Sequence, residues 1–203
     1  DAASNISFSG SGVTSTSGAL NLSLASASGA ITGLPSLNLN GGTLTLSSTA
    51  ASGQAAGAVI SGNTSVIKAG GSTFTYAGNN TYTGATTITG GVLQLGAANR
   101  IPNNSPLFVG ALGTLNLNGY AETLGALSGN GSVMLGAGTL TVGSGNVSSA
   151  FSGVMSGTGR LTKTGTGTFT LGGANSYSGL TTISGGTLLL AAADRIADAS
   201  ALS

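Results

Sequence analysis

Cysteine, histidine and tryptophan are absent from this 203-residue chain, and charge is scarce, with five basic and four acidic residues. Without Cys or His there is no thiolate nucleophile, no zinc site of the usual ligand types, no Ser/His/Asp triad and no imidazole switch. The basic residues, Lys68, Arg100, Arg160, Lys163 and Arg195, are scattered, and the net charge is +1. They form no basic stripe that could neutralise a run of phosphates, so nucleic acid is not an expected partner. The longest apolar run, residues 188–193, is six residues long, far short of the roughly seventeen that a membrane helix needs. An outer-membrane barrel is disfavoured as well, because its strands need about ten residues and girdles of aromatics. The opening residues Asp1-Ala2-Ala3-Ser4 resemble no secretion signal, so any such signal is expected outside this sequence. A cysteine-free chain suits a secreted bacterial protein and equally fits the cytosol.

What the chain has is glycine, 37 residues of it, and short runs in which apolar residues alternate. Leu20/Leu22/Leu24, Leu44/Leu46, Phe74/Tyr76, Leu93/Leu95, Leu115/Leu117, Leu140/Val142 and Phe169/Leu171 are examples. Period two over three to five residues predicts short half-buried strands. Gly, Asn and Ser bracket each run and supply the positive-φ turn positions that β-branched residues resist. Residues 188–202 have helix propensity. The aligned residues of a second copy, Leu93-Gln94-Leu95-Gly96 onward, carry a Gly, a Pro and adjacent Asn, which predicts a strand followed by a loop in both.

That second copy appears when the chain is shifted by 95 residues. Lys68, Thr73-Phe74-Thr75, Asn80, Tyr82, Thr86-Thr87-Ile88 and Gly90-Gly91 fall on Lys163, Thr168-Phe169-Thr170, Asn175, Tyr177, Thr181-Thr182-Ile183 and Gly185-Gly186. About 21 of 38 positions from residue 68 onward are identical. A sandwich or closed barrel has no reason to contain one unit twice, whereas a solenoid stacks similar coils so that each buries its neighbour's apolar face. Leu93, Leu115, Val133 and Val154 lie 18 to 22 residues apart, which predicts coils of about 20 residues, four or five per unit. Nine or ten coils would make a rod on the order of 45 Å long at about 4.8 Å per strand. The expected organisation is one β-solenoid over residues 1–203, with tandem units at about 13–107 and 108–202 and repeat motifs at 66–95 and 161–190.

The stretch Gly157-Thr158-Gly159-Arg160-Leu161-Thr162-Lys163 and onward through Asn175-Ser176-Tyr177-Ser178-Gly179 to Thr187-Leu188 resembles the autotransporter-associated β-strand repeat, also called the passenger-associated transport repeat, of type V secretion passengers. Residues 66–95 resemble a diverged member, in which Tyr76 stands where the second copy has Leu171. The resemblance implies an all-β, right-handed parallel β-helix. It also implies a location at the cell surface of a Gram-negative bacterium, or secretion from it, after export through the periplasm and outer membrane. The partner implied is a C-terminal outer-membrane β-barrel translocator in the same precursor. In that family the repeat is associated with translocation and folding of the passenger, and many passengers are adhesins. The expected role is therefore a non-enzymatic stalk segment that aids export and displays or forms an adhesive surface, with no cofactor and no metal. Contact with a host or neighbouring cell and end-to-end self-association stay open. A self-assembling extracellular filament subunit is the alternative, because neither Asp1-Ala2-Ala3-Ser4-Asn5-Ile6-Ser7-Phe8 nor Ala199-Ser200-Ala201-Leu202-Ser203 reads as a polar cap.

Other features read as structure. Lys68/Lys163 and Arg100/Arg195 are expected to be solvated turn residues. Asp194 and Asp198 are Asn99 and Asn103 in the other copy, and nothing brings Glu122 near them, so no paired-carboxylate glycosidase is expected. The Thr-x-Thr pairs Thr43/Thr45, Thr73/Thr75, Thr139/Thr141 and Thr168/Thr170 are expected at outward strand positions. The repeat positions expected to matter, for structure, are Phe74, Asn80, Tyr82, Ile88, Phe169, Asn175, Tyr177 and Ile183. The two copies of each are expected in equivalent environments.

Overall fold

A computed structural model describes residues 6–7, 12–16 and 18–196, with the backbone alone at 6–7. Every described element is a β-strand, and every strand pairing is parallel. The strands stack into a β-solenoid of about eight turns with about 21 residues per turn. Nine or ten coils were expected for the whole chain. Residues 1–5, 8–11, 17 and 197–203, among them Phe8, Asp198 and the closing residues, lie outside the described residues, and the first turns are long. Ile6 pairs with Ile31, and Val13 with Leu37.

Each turn visits three faces. The first face stacks strands Leu22–Ser26, Thr43–Ser48, Ser65–Ala69, the start of Thr86–Leu95, the start of Pro106–Asn116, Ala126–Gly129, Ser149–Phe151, Thr168–Leu171 and Thr187–Leu190. The second runs from Ser52–Gly53 through Thr73–Tyr76, the ends of the two long strands and Ser132–Gly136 to Val154–Gly157. The third holds Val13–Thr14, Leu37–Asn38 and Ile60–Ser61, and higher up Glu122–Leu124, Thr139–Val142, Arg160–Lys163 and Thr181–Ile183. Between these groups the ladder is carried by loop backbone, with Thr81 N donating to Ile60 O and Thr83 N to Gly62 O, both at 2.9 Å.

The alternation in sequence becomes alternation in burial. Leu44, Phe74, Leu140 and Phe169 point inward and are buried, while the flanking Thr43/Thr45, Thr73/Thr75, Thr139/Thr141 and Thr168/Thr170 point outward and are half-buried. The resulting core is a column of Leu, Ile, Val and aromatic side chains that runs through the middle of the rod. At the corners the chain turns on left-handed residues. Gly91 has φ +66°, and a Cβ there would lie 2.4 Å from the carbonyl oxygens of Gly70 and Ser72 in the coil below, so no other residue fits. Asn99 and Asp194 hold one such corner in each copy, at φ 53° and 56°. Short polar side chains tolerate this region, which explains why Asn and Asp exchange there. Residues 188–190 complete a strand and residues 191–196 form turns, with no helix.

The 95-residue shift is not a whole number of coils. Lys68 stands on the first face in register with Ile88, Phe74 on the second, and Tyr82 on the third. Lys163 stands on the third face in register with Ile183, Phe169 on the first, and Tyr177 on the second, where Ser176 N and Ser178 N donate to Met155 O and Gly157 O. The second copy sits about four and two-thirds turns above the first, rotated onto different faces.

Candidate functional site

The repeat builds three small polar devices, each made twice. The first is centred on asparagine. Asn80 is buried, its Oδ1 accepting from Ile60 N at 2.9 Å and Gln54 Nε2 at 2.7 Å, its Nδ2 donating to Arg100 O at 2.9 Å. It thus joins the coil below to the coil above. Asn175 does the same, accepting from Met155 N at 2.8 Å and donating to Arg195 O at 2.6 Å and Gly173 O at 3.1 Å. Both use a side-chain amide to satisfy buried backbone groups that the corner removes from the strand ladder.

The second device is a tyrosine tied to a threonine four residues on. Tyr82 bonds to Thr86 Oγ1 at 2.6 Å and Tyr177 to Thr181 Oγ1 at 2.7 Å, with all four side chains buried. Burial pushes both phenols above their ordinary pKa, so they remain neutral. Phe74 packs edge-on to Tyr76 with ring centroids 6.0 Å apart. Phe169 is equally buried but has Leu171 in place of that second ring.

The third device overturns the reading of Lys68 and Lys163 as solvated. Both are 1% exposed. Lys68 Nζ donates to Ala69 O, to Gly70 O at 3.0 Å and to Gly90 O at 3.1 Å. Lys163 Nζ donates to Thr164 O, to Gly165 O at 3.2 Å and to Gly185 O at 3.1 Å. The strand phase explains the correction, because Val66 and Lys68, like Leu161 and Lys163, are inward positions of one strand. The stem passes through the core and the ammonium ends among the carbonyls of the glycine corner.

Of the eight repeat positions singled out in the sequence, Ile183 departs from its twin. Ile88 is buried between Lys68 below and Val109 above, whereas Ile183 is 39% exposed. Its strand pairs with Arg160–Lys163 beneath it, and no described strand covers it.

Glu122 is a buried residue that sequence reasoning left without a role. Its Oε2 accepts from Arg100 N at 2.9 Å and Ile101 N at 3.3 Å in the coil below, and its Oε1 from Thr123 N at 3.2 Å. Desolvation raises its pKa from 4.5 to about 7, against the pull of those amides and the Arg100 charge. The line Gln54, Asn80, Arg100 backbone, Glu122 is therefore one buried polar thread running up four coils. Inward phase with Leu124 was the available signal. Among the described residues no three of His, Cys, Asp and Glu gather as metal ligands, and no helix is long and apolar enough to cross a membrane. The asparagines, the lysines and Glu122 tie main-chain groups of neighbouring coils together, and each tyrosine–threonine pair fastens a corner within one coil.

The family model of the passenger-associated transport repeat matches residues 66–95 and 161–190, the two segments that carry the lysine, asparagine and tyrosine of the three devices. No curated protein and no solved structure matches the chain.

Proposed function

We propose that this chain, which carries two passenger-associated transport repeats, is a stalk segment of an autotransporter passenger, exported by a Gram-negative bacterium through a C-terminal outer-membrane β-barrel of the same precursor. Its role in this reading is structural rather than catalytic, and the two tandem units of about 95 residues are its building blocks. The observation that carries the proposal is the duplication of Asn80, Tyr82 and Lys68 with their bonding partners in Asn175, Tyr177 and Lys163. The asparagine and lysine devices each join a coil to the one before or after it, so each coil that emerges from a pore finds ready-made partners on the last one folded. A solenoid gains stability through such nearest-neighbour contacts. Few charges and no disulfides suit a chain threaded unfolded. Outward apolar side chains on the middle coils, Phe108, Leu112, Met134 and Val154, support an adhesive surface on the stalk.

The test places the chain between a signal peptide and an autotransporter barrel in a Gram-negative host and measures surface display and protease resistance. The expected result is efficient display that falls when Asn80 and Asn175 are both replaced by Leu. No display of the unaltered chain, or undiminished display of the double variant, refutes the proposal.

A further inference from the structure

The chain has only two lysines, and both end in the same arrangement of main-chain carbonyls. Two acceptors belong to the two residues that follow the lysine and the third to the next coil, at Gly90 or Gly185. An ammonium carries three N–H donors, and each is matched by one carbonyl. Glycine keeps the place open: a Cβ on Gly186 would lie 2.7 Å from Lys163 Nζ, and one on Gly143 3.2 Å from it. The arrangement recurs although the two lysines stand on different faces with different neighbours, Lys68 between Leu46 and Ile88, Lys163 between Val142 and Ile183. It is therefore a property of the repeat and not of the surrounding coils.

We propose that each repeat contains a binding site for a primary ammonium ion, made of three main-chain carbonyls at its glycine corner, and that the repeat's own lysine is the tethered occupant. The ion bridges consecutive coils as a bound cation would. Burial lowers the pKa of both lysines, that of Lys68 to about 8, with no carboxylate contributing, and the carbonyl dipoles are what hold the charge there. A tripod of carbonyls discriminates by N–H geometry, so a quaternary ammonium of equal charge finds no bond to make.

In Lys68→Ala the stem and head are removed and the carbonyls remain. n-Propylammonium chloride, which restores both, is expected to raise the thermal midpoint of this variant with the logarithm of its concentration, as a ligand of the native state does. It leaves the unaltered chain unmoved. Tetramethylammonium chloride, potassium chloride and n-propanol at equal concentration give no such rise. Equal shifts from all the salts, or rescue by potassium alone, overturn the proposal. If Lys68→Ala does not fold, the unaltered chain decides: acetic anhydride under native conditions is expected to spare both lysine amines while it acetylates the N-terminal amine. Acetylation of Lys68 and Lys163 at the rate of a free amine overturns the site.

Discussion

Replacing Asn80 by Leu keeps the branched heavy-atom shape of the side chain and removes its amide. Four bonds go: those to Ile60 N, Gln54 Nε2, Arg100 O, and the longer one to Gln54 Oε1 at 3.3 Å. Gln54 retains Ala58 O at 2.9 Å and Gly78 N at 3.1 Å, so its amide is not orphaned. Ile60 N–H and Arg100 C=O are orphaned, and a buried group left unpaired costs about 1–3 kcal/mol. The apolar side chain returns about 1–2 kcal/mol through burial, leaving a net loss of about 2–3 kcal/mol. The same exchange at Asn175 removes the partners of Met155 N–H, Gly173 C=O and Arg195 C=O. Arg195 is half-exposed in the last described turn, where water can replace the lost partner, so the cost falls on Met155 and Gly173 and the expected loss is again about 2–3 kcal/mol. Equilibrium unfolding in urea measures both, with the whole transition compared because a solenoid can lose coils separately. Hydrogen exchange at the Ile60 amide reports the local loss. A change below about 1 kcal/mol at Asn80 refutes the account of Asn80 as the bridge between three coils.

Ile88→Ser is expected to cost about 3 kcal/mol, since a buried branched side chain is replaced by a small polar one. Ile183→Ser is expected to cost less than about 1 kcal/mol because the side chain already meets solvent, and equal losses in urea unfolding would contradict the assignment of Ile183 to an uncovered strand. Glu122 binds its proton up to about pH 7 in the folded chain and only to about 4.5 unfolded, so its contribution is fully present below pH 4.5 and lost as pH rises toward 7. The stability of the unaltered chain relative to Glu122→Gln is expected to fall by up to about 3 kcal/mol over that range, and a relative stability that is flat or rises with pH would refute it.

Period two was enough to find the strands, and the spacing of Leu93, Leu115 and Val133 was already that of one stacked column. It was also enough to find Lys68, Lys163 and Glu122 inside, had the phase of Val66, Leu161 and Leu124 been carried through to the charged residue beside each. Composition argued the other way, because lysine and glutamate are seldom buried without a partner. Here the partners are backbone groups, which no residue pattern displays. The rotation of the second copy follows from arithmetic, since 95 residues do not divide evenly into turns of about 21. The contrast between Ile88 and Ile183 was not legible, because two identical residues carry no mark of what lies above them. Likewise the asparagines stood out by recurrence at Asn80 and Asn175, but the atoms they bridge lie about 20 residues away in either direction and become neighbours only when the coils stack.

Because every strand crosses the rod, the hydrogen bonds between coils point along it, and this sets how the solenoid answers a pull along its axis. Tension loads the outermost coil alone, as a zipper loads its last tooth, while the coils behind it stay intact. Each coil that yields frees about 21 residues, roughly 70 Å of slack chain at about 3.4 Å per residue, in exchange for about 5 Å of rod. A solenoid with this geometry lengthens in steps under load, and spends the work of a tug on unwinding one turn at a time.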